Sequence, residues 1–335
     1  MNNRTNQTIS LIKDLRLLST AVVAAGLLAA CSADDAGVSP APDSTEVTGD
    51  AVVFTISTGR ETTRAFTTDN YWTINDSMAI CEGATVYKYK ANEESSASGG
   101  RVSLRPAVAE NTYFWSPEVT SRTFKAWYPW SLTAPSAVTV ETDQSAMEAN
   151  AYYNQDILYA PDLTVGFKQP VDLSFYHQMC RIMVTVNTSA TKGQKPVTDI
   201  KLGNGNIAVS GTLTPSASAN WVLGSQNSTV TMRKQSENTT DHLYTYECIV
   251  PPQSLAATAV LFQITTTASD ESTKTTNYVP QTMLTDAPVF SAGYQYNYSI
   301  TLSASGMVNI STVQVYDWST EYITGETATI PDAGY

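Results

Sequence analysis

The strongest constraint on this chain is a period of two that recurs in short runs. In Tyr294–Ser303, Tyr294, Tyr296, Tyr298, Ile300 and Leu302 alternate with Gln295, Asn297, Ser299, Thr301 and Ser303. Successive strand side chains point to opposite faces, so such a run buries one face and exposes the other to water. Val260, Phe262 and Ile264 alternate with Leu261, Gln263 and Thr265; Cys180, Ile182, Val184 and Val186 share a face opposite Arg181, Met183 and Thr185. The first such run opens Ala51–Phe66, where Val52, Phe54 and Ile56 oppose Val53, Thr55 and Ser57. Clusters of Gly, Pro, Asn, Ser and Thr separate the runs, the punctuation expected of sandwiches. Helical periodicity is missing outside the N-terminus, apart from a short helical turn expected near Gln144–Asn150. The predicted fold class is all-β.

Residues 1–30 have a different character. Arg4, Lys13 and Arg16 precede Leu17–Ala30, an apolar run shorter than the ~20 residues of a spanning helix. The pattern reads as a signal peptide. Its end, Leu28-Ala29-Ala30-Cys31, looks like a bacterial lipobox, cut before Cys31 so that its thiol carries diacylglycerol. Several acyl chains on one residue suffice for stable anchoring. Residues 31–50 form a Pro-, Ser- and Asp-rich tether, and Asp34 and Asp35 resemble the acidic export signal of surface lipoproteins.

Loss of residues 1–30 would remove three basic residues and one acidic residue (Asp14), moving the formal net charge from −12 to −14. A surface this acidic argues against nucleic acid and anionic lipid as partners. Cys81, Cys180 and Cys248 have neither zinc nor disulfide-framework spacing and lie among strand formers, so buried free thiols are expected. His177 and His242 belong to no HExxH pattern, and no GxSxG elbow, P-loop or dinucleotide fingerprint occurs. No catalytic residue, metal ligand or cofactor is assigned. Gly203–Gly211 reads as a hairpin turn. His177, alternating with Leu173 and Phe175, reads as a hydrogen-bonded core histidine.

A domain boundary is expected near Phe167–Pro170, giving an N-terminal sandwich over 51–168 and a C-terminal one over 169–335. Ala91–Gly100, Thr188–Gln194 and Ser225–Thr240 read as solvated loops. Tyr113, Phe114, Trp115, Phe124, Trp127, Tyr128 and Trp130 crowd one span. Exposed together they would make a sugar platform, but strand alternation puts at least half of them in a core.

Several segments in order resemble the fimbrillins, subunits of type V pili of Gram-negative anaerobes. They are the lipobox at Cys31, Thr63-Arg64-Ala65-Phe66, Trp72–Ile80, Tyr113–Trp115 with Phe124–Pro129 (FKAWYP), and Asp156–Ala160 (DILYA) with Val171–Val186 (VDLSFYHQMCRIMVTV). Ile249–Gln253 (IVPPQ), Phe290–Leu302 and Asp317-Trp318 complete the series. Cys180 stands where a small residue is more usual. The resemblance implies two tandem transthyretin-like β-sandwich domains and no enzymatic activity. It also implies a lipoprotein precursor at the outer-membrane surface that enters a fimbrium, with other pilus subunits and surface ligands as partners. An arginine-specific protease would cut at Arg64–Ala65, with Arg60 the alternative on local sequence, removing 51–64 and opening a groove for another subunit's strand. A surface lipoprotein that binds glycan without polymerising is the other reading.

After Tyr294–Ser303 the chain runs on to Tyr335. Val308 and Ile310 share one parity and Val313 and Val315 the other, so a bulge or turn is expected at Ser311-Thr312. Part of Met307–Ile330 is the candidate donor strand; the alternative is that Val308–Trp318 is the last strand of its own sandwich.

Overall fold

In a computed structural model the described residues are 50–58, 72–93, 101–191, 193–267, 272–279, 287–302 and 308–318. The alternating runs become strands. In chain order they begin with β1 (Phe54–Thr58), β2 (Ser77–Glu82), β3 (Thr85–Ala91), β4 (Val102–Pro106) and β5 (Ser121–Tyr128). Next come β6 (Ala137–Thr139), the short helix α1 (Ala149–Tyr153), β7 (Leu158–Gly166) and β8 (Val171–His177). The expected helical turn is thus present, displaced toward Tyr153. Seven strands close on themselves in the order β1-β4-β3-β2-β5-β7-β8. Phe54, Ile56, Met78, Ile80, Tyr89, Phe124, Leu173 and Phe175 fill the interior. Of the crowded aromatics, Tyr113, Trp115, Phe124 and Trp127 are buried, whereas Phe114 is 47% exposed.

The remaining strands build a sandwich. They are β9 (Cys180–Asn187), β10 (Val197–Ile207), β11 (Ser210–Thr214), β12 (Asn220–Leu223), β13 (Ser228–Thr231) and β14 (Arg233–Asn238). After these come β15 (Leu243–Val250), β16 (Gln253–Ser254), β17 (Phe262–Thr267), β18 (Thr273–Tyr278), β19 (Val289–Phe290), β20 (Tyr294–Leu302) and β21 (Val308–Asp317). A five-stranded sheet, β14-β15-β9-β20-β21, faces a four-stranded one, β13-β10-β17-β18. Ile182, Val184, Tyr246, Cys248, Phe262, Ile264, Tyr298 and Ile300 pack between them. Cys81, Cys180 and Cys248 are free and buried, as their setting predicts.

Three expectations need correction. β8 lies beyond the expected boundary at Phe167–Pro170, yet it closes the first sheet by pairing with β1 and β7. The change of sheet falls between His177 and Cys180, because the apolar parity of Val171, Leu173 and Phe175 faces the first core. Gly203–Gly211 is not a hairpin turn: β10 runs through Gly203 and Gly205 with a bulge, and the chain then crosses to β11 in a different sheet. Buried Gln253 secures that crossing, accepting from Ala208 N–H at 2.8 Å and donating to Ala208 C=O at 3.1 Å. Ser225–Thr240 is no loop, since it carries β13 and β14; their polar side chains hide the strand signal, and β14 is an exposed edge.

The outer face of the five-stranded sheet is also covered. β6 joins β11 and β12 in a small sheet, and Val138, Tyr152, Ile157, Met179, Leu213, Ile249 and Trp318 form a separate core there. This double cover explains how Arg181 and Glu247 are both almost fully buried. Arg181 Nε donates to Glu247 at 3.0 Å, and Arg233 donates to the other carboxylate oxygen at 2.8 Å. Removing one member of such a set strands a buried charge, at a cost of about 3–5 kcal/mol.

Candidate functional site

β1 is the seam of the first sheet. On one side it runs parallel to β8, Phe54 to Thr58 opposite Val171 to Phe175; on the other it runs antiparallel to β4 at Thr55–Ser103 and Ile56–Val102. The seam continues upstream, where Val52 N–H donates to Tyr113 C=O at 2.8 Å and Trp115 N–H to Asp50 C=O at 2.6 Å. Val52, Phe54 and Ile56 are buried while Val53 is 60% exposed, which is the alternation read from sequence. The Phe54 ring makes edge contacts with Tyr89, Tyr113 and Phe124 at centroid distances of 5.1, 6.0 and 5.0 Å. Burial of each of the three side chains contributes about 1.5–3 kcal/mol. The solvent side is polar: Thr55 bonds Asp172, which also pairs with Arg101 at 3.0 Å, and Lys168 pairs with Asp50 at 2.7 Å.

Cys31, the lipobox residues Leu28, Ala29 and Ala30, and the processing residues Arg60, Arg64 and Ala65 lie outside the described residues. The candidate donor residues fall on β21, the edge of the five-stranded sheet, paired antiparallel with β20. Ser299 faces Thr312 and Ile300 faces Ile310, so Ser311 is an extra residue and the change of parity is a bulge. Val308 and Ile310 lie on this ladder. Val313 and Val315 pack, partly buried, against the sandwich core.

A cleft of ≈ 560 Å³ opens at the end of the closed sheet next to the five-stranded one. Trp72–Ser77 leading into β2, Tyr128–Trp130 after β5, the α1 end and Trp318 form its walls. On its inner wall, His177 Nδ1 lies 2.6 Å from Asp156 Oδ2, both side chains nine-tenths or more buried. Trp318 stacks on the imidazole at 4.4 Å with planes 8° apart. His177 Nε2 and Asp156 Oδ1 have no hydrogen-bond partner among the described residues. Burial pushes the Asp156 carboxyl above its ordinary range, with His177 and Arg181 acting against it. His177 is the hydrogen-bonded core residue its alternation predicts, and the structure supplies Asp156 as the partner. Asp156 and His177 lay in two separately read motif segments, and it is the adjacent β7 and β8 that bring them together.

A family model described as fimbrillin-like matches residues 63–318. No curated protein sequence matches the chain. Among solved structures, a candidate cell adhesion protein from Bacteroides uniformis superposes with a TM-score of 0.58 at 19% identity, covering 80% of this chain and 98% of that one. A second, from Bacteroides ovatus, gives 0.57 at 19% identity over 81% and 99%. These likenesses speak to the fold, in agreement with the all-β sheets described above. Since the family match spans well over half its length, the chain belongs to the fimbrillin-like family.

Proposed function

We propose that this protein is a structural or tip subunit of a cell-surface pilus, exported as a lipoprotein and assembled by protease-triggered strand exchange in the service of adhesion. The observation that carries the reading is the position of β1. It closes the first sheet through two ladders and a buried apolar face, all non-covalent, and joins β2 only through residues 59–76. Arg60 and Arg64 both fall in that connection. A cut after Arg64 leaves β1 held by docking alone. Its departure exposes unpaired N–H and C=O groups on β4 and β8 beside an apolar slot, and a strand from another subunit satisfies both. Acylated Cys31 lies upstream of the cut, so processing also frees the subunit from the outer membrane. The adhesion role agrees with what is named for the two similar Bacteroides structures.

Limited digestion with trypsin followed by mass spectrometry tests the processing step. The first cut is expected between Arg64 and Ala65, with Arg60 the alternative. A first cut within either sheet system, with Thr62–Phe66 intact, would refute it. For the anchor, Cys31→Ala is expected to abolish acylation and membrane partitioning; unchanged partitioning would count against the lipoprotein assignment.

A further inference from the structure

β12 leaves one side of its small sheet open. In the order β12-β11-β6 it pairs only with β11, from Gly211–Leu223 to Thr214–Asn220. Gly224 N–H donates to Ser210 C=O at 2.8 Å, which makes 210 and 224 a bonded pair and, by antiparallel alternation, 212 and 222 another. Trp221 and Leu223 fall between these bonded pairs, so their N–H and C=O groups point away from β11. No strand pairs with that side among the described residues. A row of unpaired backbone groups is a template for a further strand. A groove of ≈ 410 Å³ runs beside it. Trp221 and Leu223, both half-buried, form one wall, and Pro252, Phe290 and Ala292 stand on the other. Trp221 Nε1–H donates to Gln178 C=O at 2.8 Å, which pins the indole in its wall. No charged residue lines the groove among the described residues. On the outer face of the same strand Val222 is 72% exposed.

The last described residue lies close to this groove. Trp318 N–H donates to Gly293 C=O at 2.7 Å, and Gly293 directly follows Ala292 of the far wall. Trp318 also belongs to the small core against which Trp221 and Ala219 pack. The sequence continues through residues 319–335. Within it, residues 327–330 read Thr-Ala-Thr-Ile, a period of two with Ala328 and Ile330 on one parity. The run carries no charge between Glu326 and Asp332, which suits an uncharged groove, and Pro331 has no N–H with which to extend a ladder. Residues 319–326 can span roughly 26 Å, about twice the length of a four-residue strand, so the run reaches β12 from Trp318 without strain. We propose that residues 327–330 add to β12 of the same chain as a fourth strand of the small sheet, turning Ala328 and Ile330 toward the groove and Thr327 and Thr329 toward solvent beside Val222. The occupant is the chain's own C-terminal segment, and its role is to close an edge that otherwise invites association. The proposal does not depend on processing or polymerisation, so the two readings fail separately.

The test compares the uncleaved chain from residue 31, carrying Cys31→Ala, with the same chain ending at Trp318 and with its Ile330→Asp variant. Hydrogen exchange is followed at the Trp221 and Leu223 amides, with Val222, bonded to β11, as the internal standard. In the parent the two edge amides are expected to exchange at least tenfold more slowly than in either variant. Ile330 lies outside every described strand, so Ile330→Asp keeps the test decisive if the shortened chain unfolds, as melting curves would tell. A benzophenone maleimide placed on Ala328→Cys is expected to photo-crosslink within one chain to residues 218–223 or 290–292; Cys81, Cys180 and Cys248 are buried and do not compete for the label. Equal exchange at the two edge amides in the parent and in Ile330→Asp would overturn the proposal. So would crosslinks found only between chains, which would make a second copy the occupant of the edge.

Discussion

Phe54 sits where three aromatic rings converge, so truncating it leaves a hole that those rings cannot easily fill. Phe54→Ala is expected to destabilise the uncleaved protein by about 3–5 kcal/mol, read as a lowered urea midpoint with unchanged slope. Val53→Ala, one residue away on the exposed face, is expected to stay within about 0.5 kcal/mol. Equal effects at the two positions would mean that β1 is not seated in this register. Asp156 carries a different kind of signature. Burial holds its folded-state value above the ordinary 3.8. Protonation then favours the fold: the contribution is full below 3.8 and is lost as pH rises through the raised value. Relative to Asp156→Asn, which cannot ionise, the parent is expected to lose stability from pH 3.8 toward neutrality, measured by urea titrations across that interval. A parent-minus-variant difference that grows with pH would show that the His177 bond outweighs burial.

At the scale of elements, β10 bends at glycines that do different work. Gly203 has φ +76°, and a Cβ there would overlap Ile207 Cγ1, itself fully buried; Gly205 has φ +71° and open space around it. Gly205→Ala bears only the left-handed backbone cost of about 1–2 kcal/mol. Gly203→Ala adds a core clash and is expected to cost at least 1 kcal/mol more. Thermal melts of the two variants separate the terms, and equal melting temperatures would refute the clash. The same bulge marks a limit of what alternation along the chain encodes. Strands with clean alternation, such as β1, β9 and β20, were legible because one face of each is buried. β13 and β14 were hidden by polar residues on a sheet edge. The Gly-rich run signalled a change of direction, but whether a chain turns back or crosses to another sheet depends on partners distant in sequence, here Gln253 and β6. The parity change after Ile310 did encode its bulge, because the register is pinned by Val313 and Val315 facing the core. The Asp156–His177 pair was legible as two motifs and illegible as a site, since only the pairing of β7 with β8 joins them.

For the whole molecule, the two ends of the described chain are complementary on the proposed reading. β1 makes two ladders and fills a slot, whereas β21 at its sheet edge makes one. On that reading, a strand that leaves an edge and enters the vacated groove would exchange one ladder for two, a gain that opposes the cost of uncovering its own sheet and is denied while β1 stays. The donor need not be preformed elsewhere, because β21 already presents Val313 and Val315 on one parity, as Phe54 and Ile56 are in β1. Cysteines introduced by Val171→Cys, opposite Phe54 in the groove, and Val313→Cys test donation directly. After trypsin treatment, fibres are expected to show intermolecular disulfides under oxidation, with none before cleavage. Fibres that form without those cross-links would exclude β21 as the donor. So would normal polymerisation after deleting residues 307–335 from a subunit that still melts cooperatively, and β21 would then be simply the last strand of its own sandwich.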